Sequence, residues 1–536
     1  MQYIENWLLQ EKEKAKEFLQ KNNFKFNKIK NFFWKKLKFK YKTIFLRIIL
    51  PEKFPLEYPK FYIDQEEWYL KYPHIEKNKK FGLNICYIEN NEKTALFDGM
   101  LLIKIALEKI YKIIQNYENN TFDKKDFLNE FDSYWGEKFI YLDAQRILNE
   151  PKIINLLEVQ KLKEIATTDI EKTKKALKNM KLKILNQKKI IFLPFFDKFT
   201  YPFPKTKSAI LDIINTLGYK YFLEKYIEHS ELKVIFSFKI DDHLHYGAFQ
   251  FQKPYKQYLI DPEIIPIGIR RIDRNRIFSR GGNFITQKIA ETSIEVAIIG
   301  CGSLGGSLAF KLAKSGVKKL LLIDYDILTE SNIARHICGM RYINEPKVKA
   351  LKDFLLEQFP DMEIEIFPSN AIECLDRLTQ TNLIVSAVGS EGEIFEQLLF
   401  QLKHSKNSKI YIPPVVLTWF EGPVAGHAVL IKETDINELS IFFKKISVIE
   451  NSKKKLLTLL DIGCNSLYSP YAFIDAENVV LHTSLLITDY IKSLGEIEET
   501  VITIFNNTNL YNDYLKTEYK NISPYTIQKY KLKEIL

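Results

Sequence analysis

The sequence predicts an α/β and α+β multidomain protein, on three observations. The chain has 536 residues, 46% of them hydrophobic and 27% charged, enough for about three domains of roughly 150 residues, each with its own core. Residues 296–326 read "VAIIGCGSLGGSLAFKLAKSGVKKLLLIDYD", which is strand, glycine turn, helix and strand in succession. The first third of the chain instead shows a helical pattern followed by strand-like runs and a proline-marked loop.

Residues 1–150 open on the helical pattern "MQYIENWLLQEKEKAKEF". The strand-like "TIFLRIILP" follows, then "LPEKFPLEYPKFYI", a loop around Cys86, and the apolar-periodic helix "GMLLIKIALEKIYKIIQNY". This is the order of an α+β domain. Residues 151–270 read as an α+β linker domain. The stretch "LEVQKLKEIATTDIEKTKKALKNMKLKIL" is expected to be a charged connecting helix. The remainder alternates short strands such as "ELKVIFSFKIDDHLHYGAFQF" with one helix at "SAILDIINTLG", and shows no catalytic constellation. From 271 to 536 the pattern is βαβ, repeated after "KALKDFLLEQFP", which implies a mostly parallel sheet with helices on both faces.

Composition sets limits. The net charge of +11 is spread along the chain rather than clustered, so a lysine-rich solvated surface or an acidic protein partner is expected and nucleic acid is not. The N-terminus has no basic-then-apolar signal pattern, and no apolar run approaches the length of a membrane span, so a cytoplasmic protein with no membrane partner is expected. The five cysteines, Cys86, Cys301, Cys338, Cys374 and Cys464, form no C-x-x-C pair. That argues against a disulfide scaffold and a cysteine-rich zinc site, and fits a reducing compartment.

The motif Gly300-x-Gly302-x-x-Gly305 lets backbone approach phosphates at a helix N-terminus, where free N–H groups and the dipole attract anions. Asp324, nineteen residues after Gly305, is placed to accept from ribose hydroxyls. NAD and ATP are served equally to this point. Asn332, Arg335 and Lys347 then follow at short spacing. A dehydrogenase has no need of cations clustered there. An enzyme that promotes attack on the α-phosphate of ATP does, because charge develops on phosphorus and on departing pyrophosphate.

The combination "GCGSLGG…LIDYD…SNIARH…PK" resembles the adenylation domain of ubiquitin-activating enzymes and of the bacterial ThiF and MoeB proteins, strongly over about 290–360 and more weakly to about 490. The resemblance implies a Rossmann-like domain in which Gly300, Gly302, Gly305 and Asp324 bind ATP, while Asn332, Arg335 and Lys347 handle phosphates and Mg2+. The family's later metal-side aspartate is missing from "LIVSAVGSEGE", where Glu391 is the candidate substitute, and no residue is assigned as a metal ligand. Cys464, in the loop-like "LLDIGCNSLYSPYAF", is a candidate thioester former. Cys301 reads as a small residue inside the turn, and Cys338 and Cys374 as core positions.

The N-terminal "LPEKFPLEYPKFYI" and "PHIEKNKKFGLNICYIEN" resemble the ubiquitin-conjugating fold. Cys86 matches its active cysteine and His74 its upstream histidine. The family's His-Pro-Asn reads Pro73-His74-Ile75 here, leaving Asn78 or Asn84 to do the work of the asparagine, with Asn78 nearer the family's spacing. The fusion resembles the activating–conjugating enzymes of bacterial CBASS anti-phage operons. That resemblance implies a homodimer that activates the C-terminus of a cGAS-like nucleotidyltransferase and joins it to a target amine, with Arg335 and Lys347 serving adenylation and Cys464 and Cys86 carrying the acyl group in turn. The rival readings are a sulfur-carrier adenylyltransferase that needs no Cys86, a nicotinamide-dependent oxidoreductase, and a non-catalytic nucleotide-sensing scaffold.

Overall fold

The computed structural model describes the chain except residues 1, 40–41, 70, 79, 88–96, 123–130, 132–134, 137, 145–147, 196–202, 225–231, 241–242, 252–262, 389–411, 433–441, 444, 458, 461–466 and 469–470. The described residues form two compact units. One comprises Met1–Thr168 and Leu185–Arg270, the other Asp169–Ile184 and Arg271–Leu536.

The first unit begins with helix α1 (Gln2–Lys21) and an antiparallel sheet. Its strands are β1 (Lys25–Asn27), β2 (Phe32–Lys38), β3 (Thr43–Ile49), β4 (Lys60–Ile63), β5 (Ile75–Asn78) and β6 (Gly82–Ile85), in the order β1-β2-β3-β4-β6-β5. Helix α2 (Gly99–Asn119) starts at Asp98, whose side chain accepts from the Leu101 N–H, and ends at Asn120 in the left-handed region, a cap at each end. Alternation along the strands sends Phe33, Ile44, Leu46, Ile48, Phe61, Leu83 and Ile85 to one face, where they pack with Ala15 and Leu19 of α1 and Ile103 and Ile110 of α2. Both helices therefore cover one side of the sheet, and the residues between these in sequence line the other.

The same unit contains a closed seven-stranded barrel. Its strands are β7 (Lys138–Asp143), β8 (Lys152–Val159), β9 (Lys163–Thr167), β10 (Ile184–Pro194), β11 (Lys233–Ile240), β12 (His243–Gln250) and β13 (Ile265–Arg271), ordered β10-β11-β12-β13-β7-β9-β8. Ile140, Leu142, Ile154, Leu156, Ala166, Phe192, Ile235, Ala248 and Ile267, drawn from all seven strands, fill its interior, while Phe131, Trp135, Phe195, Phe236, Phe238 and Phe249 pack with Ile210 and Ile214 of helix α4 (Lys207–Thr216) against the outer face of β10, β11 and β12. The connecting helix expected over 157–185 is a misreading. The segment holds the end of β8, then β9, then the short helix α3 (Ile170–Asn179), then the start of β10. The helix begins only at Asp169, whose side chain accepts from Lys172 N–H. Its Asn179 amide donates to Pro360 carbonyl at 3.1 Å and Lys181 pairs with Glu357 at 2.7 Å, both within the second unit.

The second unit enters through helices α5 (Arg274–Gly281) and α6 (Phe284–Glu291). Its sheet is built from β14 (Glu295–Ile299), β15 (Lys319–Ile323), β16 (Glu363–Phe367), β17 (Leu383–Ser386), β18 (Val415–Glu421), β19 (Ala425–Ile431), β20 (Thr500–Phe505) and β21 (Ile527–Lys531). The order is β16-β15-β14-β17-β18-β19-β20-β21, parallel from β16 to β18 and antiparallel beyond. Helices α7 (Ser303–Lys314), α8 (Lys347–Gln358) and α9 (Phe473–Lys492) bury Leu308, Leu312, Leu351, Leu355, Val479 and Ile487 against one face. The other face packs on Cys374, Leu378, Phe442, Ile446 and Leu532. Strand β14 lies between β15 and β17, so its C-terminal end opens where parallel-sheet ligands bind. Among the described residues no helix is long and apolar enough to cross a membrane.

Candidate functional sites

The glycine turn joins β14 to α7. Gly300 has φ of 83°, and a Cβ there would lie 2.9 Å from the Ala387 carbonyl oxygen. At Gly305 a Cβ would sit 1.8 Å from the Gly300 oxygen, so the turn closes only because neither residue has a side chain. Gly302 differs. Among the described residues nothing lies within 4 Å of where its Cβ would be and no side chain caps α7; the missing side chain leaves room beside the first turn of that helix, whose leading N–H groups and positive dipole end face this space.

Asp324 follows β15 and reaches back into the turn. Its Oδ2 accepts from Cys301 N–H at 2.7 Å and its Oδ1 from Asp326 N–H at 2.8 Å. Each oxygen keeps a lone pair for a further donor. Asn332 spends its Oδ1 on Thr329, accepting from its backbone N–H and its hydroxyl, both at 3.2 Å; it caps the short helical turn Glu330–Asn332 that ends three residues before Arg335. Lys347 begins α8, and its Nζ pairs with Asp326 Oδ2 at 2.6 Å while its N–H donates to the Asp326 carbonyl.

Arg335 is half-buried. Among the described residues no carboxylate pairs with it. Its guanidinium carbon lies 5.3 Å from the centroid of the Tyr471 ring. Tyr471 donates its hydroxyl to Ser303 Oγ at 3.0 Å and stacks on Phe420 with centroids 4.3 Å apart. A cation held by an aromatic ring, near the positive end of a helix and with no carboxylate among the described residues, is electrostatically unfavourable by itself. The chemistry of this donor set suits a polyanion such as the phosphates of a nucleotide.

Sequence reasoning missed Tyr471, Phe420 and His336. His336 Nε2 lies 2.7 Å from the Cys301 carbonyl oxygen, and Cys338 N–H donates to Nδ1 at 3.0 Å. Nδ1 is therefore an acceptor and Nε2 carries the proton. Burial pushes this imidazole below its ordinary value, so it is a neutral strut between the turn and the Arg335 segment. The one signal for it was its place next to Arg335; nothing local marked Tyr471 or Phe420.

Cys301, Cys338 and Cys374 are buried. Burial pushes the Cys301 thiol well up, Cys338 to about 12 and Cys374 to about 11, which removes them as nucleophiles near neutral pH. Cys464 and Glu391 lie outside the described residues. Among the described residues no group of three or more His, Cys, Asp or Glu side chains is arranged to hold a metal.

The second centre is Cys86, which is exposed at the end of β6. Its N–H donates to the His74 carbonyl at 2.8 Å, continuing the β5–β6 ladder one step. His74 has φ of 57°, a left-handed conformation held from the Pro73 side by a hydrogen bond from Tyr117 Oη to the Pro73 carbonyl. On the other side Tyr87 donates to the Pro59 carbonyl at 2.9 Å and meets Phe61 edge-on. The thiol is thus exposed while its flanking backbone is fixed. Asn78 lies at the other end of the hairpin, paired with Gly82, where its Oδ1 accepts from Lys80 and Phe81 N–H, both at 3.1 Å. Asn84 is two residues from Cys86 on the same strand face, with its Nδ2 3.4 Å from Glu76 Oε2. Proximity therefore favours Asn84, although spacing in the sequence favoured Asn78.

Comparison with known proteins agrees with this division. Residues 272–390 match the ThiF family, and residues 10–139 match the prokaryotic E2 family B. The chain therefore joins a ThiF-family segment to an E2-family segment. It is 29% identical over 175 residues to the ATP-dependent ubiquitin transferase-like protein Cap2 of Pseudomonas aeruginosa, covering 32% of this chain and 30% of that one. To the protein of the same name from Enterobacter hormaechei it is 30% identical over 131 residues, 24% of this chain and 21% of that one. The matched region thus spans less than a third of either relative's own length. A crystal structure of Escherichia coli MccB aligns with 46% of this chain and 64% of that one at 13% identity, with a TM-score of 0.32.

Proposed function

We propose that this chain uses ATP to activate the C-terminal carboxylate of a polypeptide, carries the acyl group on cysteine, and ligates it to an amine. The observation that carries the reading is Arg335, a cation held beside the glycine turn with no carboxylate partner among the described residues. In this reading the carboxylate attacks the α-phosphate, forming the acyl–phosphate bond and releasing pyrophosphate. The N–H groups at the start of α7 and Arg335 meet the charge that develops there, and Lys347 adds a second cation once it shares Asp326. Asp324 accepts from the ribose. Bound with the triphosphate, Mg2+ would offset its charge, and no described residue is assigned to hold it. The Cys464 thiolate takes the acyl group with loss of AMP, and Cys86 then receives it by thioester exchange. An amine lone pair attacks the thioester carbonyl, the C–S bond breaks and Cys86 leaves as thiolate.

The two relatives named as ATP-dependent ubiquitin transferase-like proteins support ATP-driven transfer of a polypeptide, and the exposure of Cys86 supports its part in that transfer, since a sulfur-carrier adenylyltransferase would have no use for it. The activated polypeptide in this reading is a cGAS-like nucleotidyltransferase in anti-phage defence. A homodimer through the second unit is part of the reading, supported by Ile474, Leu481 and Leu485, which leave one face of α9 apolar and exposed. ATP–pyrophosphate exchange dependent on a carboxylate-bearing polypeptide, followed by a reductant-sensitive adduct on non-reducing gels, tests the reading. Tight NAD binding without ATP binding would replace it with an oxidoreductase.

A further inference from the structure

The face of the N-terminal sheet away from α1 and α2 carries a continuous cross-strand row. Lys25 pairs with Trp34, Trp34 with Arg47, Arg47 with Tyr62, Tyr62 with Asn84, and Asn84 with Glu76. Lys36 and Lys38 of β2, Phe45 of β3 and Lys60 of β4 lie on this face by alternation, and Lys36 pairs with Phe45. Lys25, Lys36, Lys38 and Lys60 are exposed and Arg47 is half-buried. Among the described residues the face thus bears five cations. Its described carboxylates are Asp64, which accepts from Phe45 N–H at 3.1 Å, and Glu76 at the far end of the row. Cys86 follows Asn84 by two residues with its N–H still in register to His74, so its thiol leaves the sheet on this same side.

We infer that this face receives the acceptor polypeptide and that the acceptor carries acidic residues on one side of its reactive lysine. The inference rests on the conjugation reading and names its amine-bearing substrate class. Charge complementarity carries the argument: the β1–β3 end is cationic and the end beside the thiol bears Glu76. An acceptor laid across the strands meets lysines and Arg47 with its carboxylates and Glu76 with its lysine ammonium. That ammonium must lose a proton before its lone pair attacks the thioester, and Glu76, with Asn84 turned toward it, is placed to receive it. The strands are spaced about 4.8 Å apart, so β2 and β1 lie about 14–19 Å from the β6 thiol, or about four to six residues of extended chain. A nucleic acid fits less well. Lys25 lies over the Trp34 ring and Lys36 over the Phe45 ring, at 5.5 and 4.9 Å from the centroids, so the ring faces are capped rather than open for base stacking, and Glu76 repels phosphate.

The test uses the full chain. Peptides with one central lysine and either glutamates or serines four to six residues away are offered to enzyme already charged at Cys86, and single-turnover discharge is followed. Binding of the same fluorescent peptides to uncharged enzyme is measured by anisotropy, which needs no thioester. The glutamate peptide should discharge and bind about tenfold better than the serine peptide, and the preference should shrink as salt rises. In Lys25→Glu/Lys36→Glu the ratio between the two peptides should fall to about one. Glu76→Gln should slow discharge most at low pH and weaken both peptides alike, leaving the ratio between them unchanged. Equal handling of the two peptides by the unsubstituted enzyme, or a ratio that survives the double substitution, overturns the inference. Tighter binding of a single-stranded oligonucleotide than of the glutamate peptide assigns the face to nucleic acid instead. Failure to charge Cys86 at all rejects the conjugation reading, and the anisotropy comparison still decides the face.

Discussion

Replacing Arg335 with alanine separates a residue that serves chemistry from one that serves the fold. In the structure its only described anchor is the Tyr471 ring at 5.3 Å, a contact worth about 0.5–1 kcal/mol at a partly exposed site. Removing the cation also relieves its repulsion with the positive end of α7, about 0.3–1 kcal/mol in the opposite direction. The two nearly cancel, so Tm should move by less than about 3 °C. The chemical step loses a preorganised charge facing the developing pyrophosphate, about 10²–10³-fold in rate, or about 2.7–4 kcal/mol. ATP affinity should fall far less than the rate, because the charge being met grows during reaction. Differential scanning fluorimetry, calorimetric titration with ATP and pyrophosphate exchange supply the three numbers. Arg335→Lys should recover part of the rate, since it keeps the cation and loses the planar contact with the ring. Exchange within about threefold of the parent would refute the assignment, and a Tm loss above about 10 °C would show that the residue is structural instead.

Three further outcomes follow from the same geometry. Gly302→Ala should fold with a cost near 1 kcal/mol, since alanine is the poorer N-cap, yet bind ATP much more weakly; Gly305→Ala should disrupt the turn itself, and equal ATP affinity in both would remove the phosphate site. Cys464→Ala should form adenylate without any thioester, whereas Cys86→Ala should accumulate the acyl group on Cys464; full conjugation by Cys86→Ala on non-reducing gels would reduce the first unit to a binding module. The buried neutral His336 has a folded pKa below its unfolded value. Its contribution to stability is therefore complete above about pH 6.5 and lost as pH falls below that, with His482 acting in the same direction. Melting curves from pH 7.5 to 5 should show a shallower acid-side slope in His336→Gln, and an unchanged slope would reject the strut.

What the sequence displayed was decided by how local the physics is. The glycine turn, Asp324, Arg335 and Lys347 lie within about fifty residues and follow one strand–turn–helix course, so their spacing is their geometry. Tyr471 reaches Ser303 across 168 positions, and its stacking on Phe420 depends on how β18 and α9 pack, which no window of sequence encodes. The region 157–185 imitates a helix because Leu, Lys and Glu recur at helical intervals, yet β9 pairs in parallel with β7 and antiparallel with β8, and closure of the barrel outweighs local propensity. The sequence left the choice between Asn78 and Asn84 open for a related reason: distance along the chain points to Asn78, while the period-two alternation of β6 brings Asn84 beside the thiol.

Asp324 has a consequence for how such a site changes over generations. The carboxylate that the proposed function gives to the ribose is also the acceptor for the Cys301 and Asp326 N–H groups. On that proposal, nucleotide preference and integrity of the turn are written in a single side chain. A lineage that drifts toward another nucleotide by altering this residue must supply two replacement acceptors at the same moment, or lose the turn before it gains the new ligand. Asparagine retains one of the two. Change in nucleotide preference should therefore arise first at neighbours that contact the ligand without supporting the backbone, with the aspartate the last position to yield.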